Sequence, residues 1–98
     1  MNKATEVAIV GGGAAGCSVA YHLAKAGIKS TIIEREGIAS QASGYSAGGL
    51  NPLQGAGIPG PLGPLAIESF RMHMEMFGEL QAGTGIGYDG RKITLVKV

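Results

Sequence analysis

Apolar and polar positions fall into blocks that glycine separates. Val7 to Val10 is an uninterrupted apolar run that stops at Gly11, Gly12 and Gly13, and a helical pattern opens at once. A short β-branched run bounded by glycine reads as a strand, expected over residues 5–10. Ala15, Val19, Leu23 and Ala26 then recur at helical spacing. They predict a helix over residues 14–26 with its apolar face on that stripe and Gly27 at its C-terminal cap. A second β-rich run, Thr31 to Ile33, predicts a strand over residues 29–33 and leads into a carboxylate, Glu34. Strand, helix and strand in this order make a βαβ unit, so the fold class is α/β and Rossmann-like, with two parallel strands.

The pattern then changes. Residues 37–67 contain no Asp, Glu, Lys, Arg or His, yet they hold all four prolines. Disordered segments usually carry charge and avoid apolar residues, whereas this one includes Ile38, Leu50, Leu53, Ile58, Leu62 and Leu65. A long loop over residues 35–63 inside a compact domain is usually functional, and this one is expected to lie along an extended ligand. Pro64 fits the first turn of a helix over residues 64–81. The expected apolar stripe of that helix is Ile67, Phe70, Met74 and Phe77, with Leu80 beside it and Gly83 able to end it. The tail, IGYDGRKITLVKV, predicts an antiparallel hairpin over residues 85–98 that turns at Asp89-Gly90. Open sheet edges would remain. The 98 residues are therefore expected to form the N-terminal part of a much longer protein.

Composition narrows the function. Net charge is +1 and no basic cluster is present, which gives no support for nucleic-acid or anionic-membrane binding. One cysteine leaves no internal disulfide and suits a reducing compartment, so a cytoplasmic location is expected. Cys17 is expected to be a small packing residue. His22 and His73 have no second ligand at metal spacing, and Met72, Met74 and Met76 read as adaptable packing residues; no metal site is expected. The apolar start is too short and too interrupted by glycine to be a signal peptide or an integral membrane segment.

Gly11, Gly13 and Gly16 have the spacing G-x-G-x-x-G. The first glycine permits a tight exit from the strand, the second lets the backbone approach a diphosphate, and the third lets helix and strand pack closely. Backbone N–H groups and the positive helix end then face the anion, so no cationic side chain is needed; none occurs between Lys3 and Lys25. Glu34 lies 18 residues beyond Gly16, close to the separation of about 20 at which such folds place an acid on a ribose. On these residues alone, a non-catalytic NAD-binding regulatory module and a flavoenzyme both remain open.

The segments VAIVGGGAAG, HLAKAG, STIIER and ASGYSAGGL together resemble the N-terminus of the FAD-dependent oxidoreductases related to D-amino-acid oxidase. The resemblance covers essentially the whole chain and is closest to the glycine oxidase and sarcosine oxidase branch. The second glycine-rich segment distinguishes this family from NAD dehydrogenases. The resemblance implies that Gly11, Gly13, Ala14, Ala15 and Gly16 bind the FAD diphosphate. Glu34 would take the adenosine ribose, with Arg35 near the adenine. Ala42 and Ser43 would contact the middle of the cofactor, and Ala47, Gly48 and Gly49 would pass the flavin ring. Some relatives carry flavin on a histidine in the second segment; Ser46 stands near that place here, and noncovalent FAD is expected. Tyr45 departs from the Arg or other polar residue frequent at its position. The implied reaction is hydride removal from a carbon bearing an amine, on a small amine or amino-acid substrate. The catalytic residues would lie beyond Val98, and this polypeptide alone is not expected to turn over. Flavin hydroxylases and tRNA-modifying flavoenzymes begin with similar segments.

Overall fold

A computed structural model describes residues 4–53, 58–87 and 90–94. The chain divides into two compact units, Met1–Gly48 and Gly49–Val98.

The first unit is built on a β-α-β core: β1 (Val7–Val10), α1 (Ala14–Lys25) and β2 (Ser30–Ile33), followed by one short helical turn, α2 (Ala42–Tyr45). β1 and β2 pair in parallel, with Val7 opposite Ser30 and Ile9 opposite Ile32. Side chains alternate across the sheet. Val7, Ile9, Ser30 and Ile32 are half-buried, while Ala8, Val10, Thr31 and Ile33 are exposed. α1 covers the first face, packing closely enough that a Cβ on Gly16 would lie 3.3 Å from Cγ2 of Ile9.

The stripe expected to face the sheet on α1 is corrected. Ala15, Val19 and Ala26 are exposed, and the half-buried positions include Gly16, Cys17, Ala20 and Leu23. α1 has small apolar residues on nearly every side, so the requirement for close approach at Gly16 decides which face turns inward. The helix ends as expected in a left-handed glycine, Gly27 at φ 79°. Gly27 N–H donates to the Ala24 carbonyl and Ile28 N–H to that of Leu23, a paired closure that satisfies the last carbonyls of the helix.

The second unit contains α3 (Gly63–Thr84), which carries Pro64 in its first turn. Ala66, Phe70, His73, Phe77 and Leu80 form its half-buried stripe, at alternating steps of four and three residues. Ile67 and Met74, both expected on that face, are 56% and 45% exposed. His73 takes their place. Its Nδ1 lies 2.8 Å from the Ser69 carbonyl oxygen, and its ring meets Phe77 edge-on. On the exposed side Arg71 bridges Glu68 and Glu75, one turn away in each direction. The helix runs past Gly83 and stops at Gly85, which has a left-handed φ of 69° and whose N–H donates to the Gln81 carbonyl.

The expected hairpin is corrected as well. The only ladder among the described residues is the parallel β1–β2 pair, and residues 85–87 and 90–94 belong to no strand. A two-stranded hairpin has little stability of its own without a third strand or a packed face. Asp89 of the expected turn and residues 95–98 lie outside the described residues. No helix among the described residues is long and apolar enough to cross a membrane, and no group of three or more His, Cys, Asp or Glu side chains among them could hold a metal ion.

Candidate functional site

The site is the connection from β1 to α1 together with the loop after β2. Gly11 leaves β1 at a φ of 103°, a conformation that L side chains rarely adopt. Its N–H continues the sheet by donating to the Ile33 carbonyl at 2.9 Å. Gly16, one turn into α1, sits over the turn so tightly that an added Cβ would collide with the Gly11 carbonyl oxygen. First and third glycines therefore meet, and the segment closes into a compact crook.

The loop after β2 folds back onto this crook. The Gly12 N–H donates to Oε1 of Glu34 at 2.9 Å, and the Glu36 N–H donates to Oε2 of the same carboxylate at 2.8 Å. These two bonds, with the adjacent Arg35 charge, hold the Glu34 carboxyl below the usual carboxylate range. The Gly12 carbonyl accepts from the Ala39 N–H at 2.8 Å and from the Cys17 thiol at 3.6 Å. At the start of α1, the Ala14 N–H donates to the Ser43 hydroxyl at 2.8 Å. The N–H groups of Gly13 and Ala15 find no acceptor among the described residues.

Ala39 holds a left-handed φ of 54°, which costs a non-glycine residue about 1–2 kcal/mol. That conformation carries its carbonyl against Gly44, where an added Cβ would collide with it. The ASG portion of the second glycine-rich segment is thus seated on the loop by the absence of a side chain at Gly44. The short helix α2 inside the loop was not expected from the sequence.

A cavity of about 210 Å³ opens between these parts, lined by Gly13, Glu34, Ala39, Ser40, Gln41, Ala42 and Ser43. Its lining is uncharged except for Glu34. Ser40 contributes the one buried side-chain polar atom without a hydrogen-bond partner among the described residues, its hydroxyl oxygen. Gly13 faces Ser43 so closely that a Cβ would stand 3.0 Å from the hydroxyl oxygen. Both features suit a polar ligand laid against backbone: a hydroxyl awaiting a partner, and a glycine whose missing side chain keeps the approach open.

Of the residues expected to contact a cofactor, Gly13, Glu34, Ala42 and Ser43 come together at this cavity, and Gly11, Ala14, Ala15 and Gly16 form the crook behind it. Arg35, Ala47 and Gly48 are exposed and do not line it. Gly48 has a φ of 75°, and its N–H donates to the Ser46 hydroxyl at 3.1 Å. Gly49 begins the second unit. Ala39, Ser40 and Gln41 line the cavity without having been singled out from the sequence. Two serines at residues 40 and 43 of an otherwise uncharged loop were the available signal, because a hydroxyl there has few alternatives to a backbone or ligand partner.

Residues 6–97 match the family described as FAD dependent oxidoreductase. The chain is 35% identical over 86 residues to a glycine oxidase of Bacillus licheniformis, a stretch that covers 88% of this chain and 23% of that protein. It is 32% identical over 83 residues to human mitochondrial dimethylglycine dehydrogenase, covering 85% of this chain and 9% of the relative. It is also 48% identical over 46 residues to the tRNA 5-methylaminomethyl-2-thiouridine biosynthesis bifunctional protein MnmC of Hydrogenovibrio crunogenus, covering 46% of this chain and 7% of that protein. The chain therefore spans about a quarter or less of the length of these relatives. No solved structure matches it significantly.

Proposed function

The chain belongs to the family of FAD dependent oxidoreductases, and from that premise we propose that it supplies the diphosphate- and ribose-binding part of a noncovalent FAD site in an enzyme that oxidises a C–N bond. The observation that carries this reading is the cavity in which Gly13, Glu34, Ala42 and Ser43 converge beside the glycine crook. Glycine, dimethylglycine and a methylaminomethyl nucleoside, the compounds in the relatives' names, all carry an amine on a carbon. Bound flavin supplies the redox chemistry by accepting hydride from such a carbon.

Each residue of the chain then has a defined task. The free N–H groups of Gly13 and Ala15 point the positive end of α1 at the diphosphate. The Ser43 hydroxyl oxygen accepts from Ala14 N–H, which leaves its own hydrogen to donate toward a phosphate oxygen. The Ser40 hydroxyl gains the partner it lacks. Glu34 receives ribose hydroxyls on its remaining lone pairs, Arg35 stands near the adenine end, and Ala47, Gly48 and Gly49 allow the flavin ring close passage. No histidine occurs between residues 23 and 72, in accord with noncovalent attachment. No residue of the cavity is assigned a catalytic role.

The test is titration of FAD with the polypeptide, followed by quenching of flavin fluorescence. The native chain should quench saturably. Gly13→Val, which fills the cavity beside Ser43, should weaken binding by a hundredfold or more. A native chain that leaves flavin fluorescence unchanged would end the proposal. A second reading rests on the higher local identity to the tRNA-modifying protein: the oxidised C–N bond would lie on a tRNA nucleoside. Turnover on glycine, N-methylated glycines or aminomethylated tRNA separates the two.

A further inference from the structure

We propose that Glu34 is a positioning residue for the glycine crook, controlling affinity for the phosphates as well as for the ribose. This rests on the nucleotide-binding reading above. Both carboxylate oxygens are already engaged by backbone, Oε1 by Gly12 N–H at 2.9 Å and Oε2 by Glu36 N–H at 2.8 Å. Gly12 is also the one buried residue among those described, and its carbonyl is held from the same loop by Ala39 N–H.

Gly12 is thus held on both sides by residues 34–39: its N–H by Glu34, and its carbonyl, which shares a peptide plane with the Gly13 N–H, by Ala39. Its orientation sets where the next N–H groups, those of Gly13 and Ala15, are aimed. A buried backbone donor that loses its acceptor must find another or turn away. Releasing Gly12 N–H would let the crook rotate, and the aim of the free donors would be lost with it. Beside its bonds to the ribose, an uncompensated carboxylate this close to the phosphates would repel them. As a tether for backbone donors its negative charge is compensated, and the crook is organised before the ligand arrives.

A ribose-only role and a tether role separate when the ribose hydroxyls are removed from the ligand. The probes are ADP and 2′,3′-dideoxy-ADP, titrated by calorimetry into the native chain, Glu34→Ala and Glu34→Gln. A residue acting through the hydroxyls alone leaves dideoxy-ADP affinity unchanged on substitution. Removing charge repulsion alone makes it tighter. The tether predicts the opposite sign: dideoxy-ADP should bind at least fivefold more weakly to Glu34→Ala. Glu34→Gln, which keeps one acceptor oxygen, should fall between the two. Unchanged or tighter binding of dideoxy-ADP to both variants would overturn the proposal.

Amide hydrogen exchange in the ligand-free chain gives a readout that does not depend on nucleotide. Gly12 and Glu36 amides should be protected in the native chain and exchange at least tenfold faster in Glu34→Ala, with at least one of the two released in Glu34→Gln. Equal exchange in all three chains refutes the tether. If neither nucleotide binds the native chain, the nucleotide-binding reading fails and exchange at these two amides decides the tether by itself.

Discussion

Glu34 carries more of the local structure than its place at a strand end suggests. The Glu36 N–H, the Gly12 N–H and the Arg35 charge favour its ionised form, and together they outweigh its slight desolvation. The sign of the linkage follows. A carboxyl whose folded pKa lies below its unfolded value contributes stability above the unfolded value and loses it as pH falls through the folded one. The crook should therefore be fully organised at neutral pH and loosen only on acidification through and below the ordinary carboxylate range. An NMR titration should place the Glu34 side-chain carbon midpoint below the ordinary carboxylate range, with the Gly12 amide shift moving in step. A Gly12 amide that stays constant through the Glu34 midpoint would show that the two groups are not coupled.

At the scale of elements, glycine decides where structure begins and ends, and two glycines of α3 should respond in opposite directions. Gly78 lies inside the helix with open space around it. Alanine there removes the backbone freedom that glycine loses on folding, a gain of about 0.8–1 kcal/mol. Gly85 caps the same helix at a φ of 69°, and alanine there meets the left-handed penalty of about 1–2 kcal/mol. Circular dichroism on urea unfolding should show Gly78→Ala raising the midpoint and Gly85→Ala lowering it; changes of the same sign would mean that the helix does not end where described. The same logic accounts for what was legible in advance. Strand, helix and strand of the first unit could be read to within one or two residues because Gly11–Gly13 and Gly27 punctuate them. The inward faces could not. α1 has small apolar residues on most sides, and on α3 a histidine replaces the aliphatic residues expected on the half-buried stripe. The glycine spacing and Glu34 announced the site. Ala39, Ser40 and Gln41 did not, because what brings them to the cavity is the left-handed turn at Ala39 and the bare Gly44 beneath it. Neither depends on a motif.

At the scale of the molecule, the first unit has little apolar burial to hold it. One face of its two-stranded sheet lies under α1, while Val10 and Ile33 on the other are 87% and 56% exposed. No hydrophobic side chain among the described residues is fully buried. Parallel sheets are ordinarily covered on both faces, and a two-stranded sheet with one helix supplies a small part of the 5–15 kcal/mol typical of a domain. What organises the crook instead is a set of polar tethers between residues 11–14 and 33–43. A ligand seated on those tethers then becomes a large fraction of the total stability. Binding to the folded form alone adds about 2.7 kcal/mol when free ligand is a hundred times its dissociation constant. At roughly 4–8 °C per kcal/mol for a chain of this size, FAD at that excess should raise the melting midpoint by on the order of 10 °C. The rise should grow with the logarithm of FAD concentration, and Gly13→Val should abolish it. Riboflavin, which has the ring without the diphosphate, should produce little shift. Riboflavin stabilising the chain as strongly as FAD would place the binding energy on the ring and away from the crook, against the arrangement in which backbone N–H groups hold the phosphates.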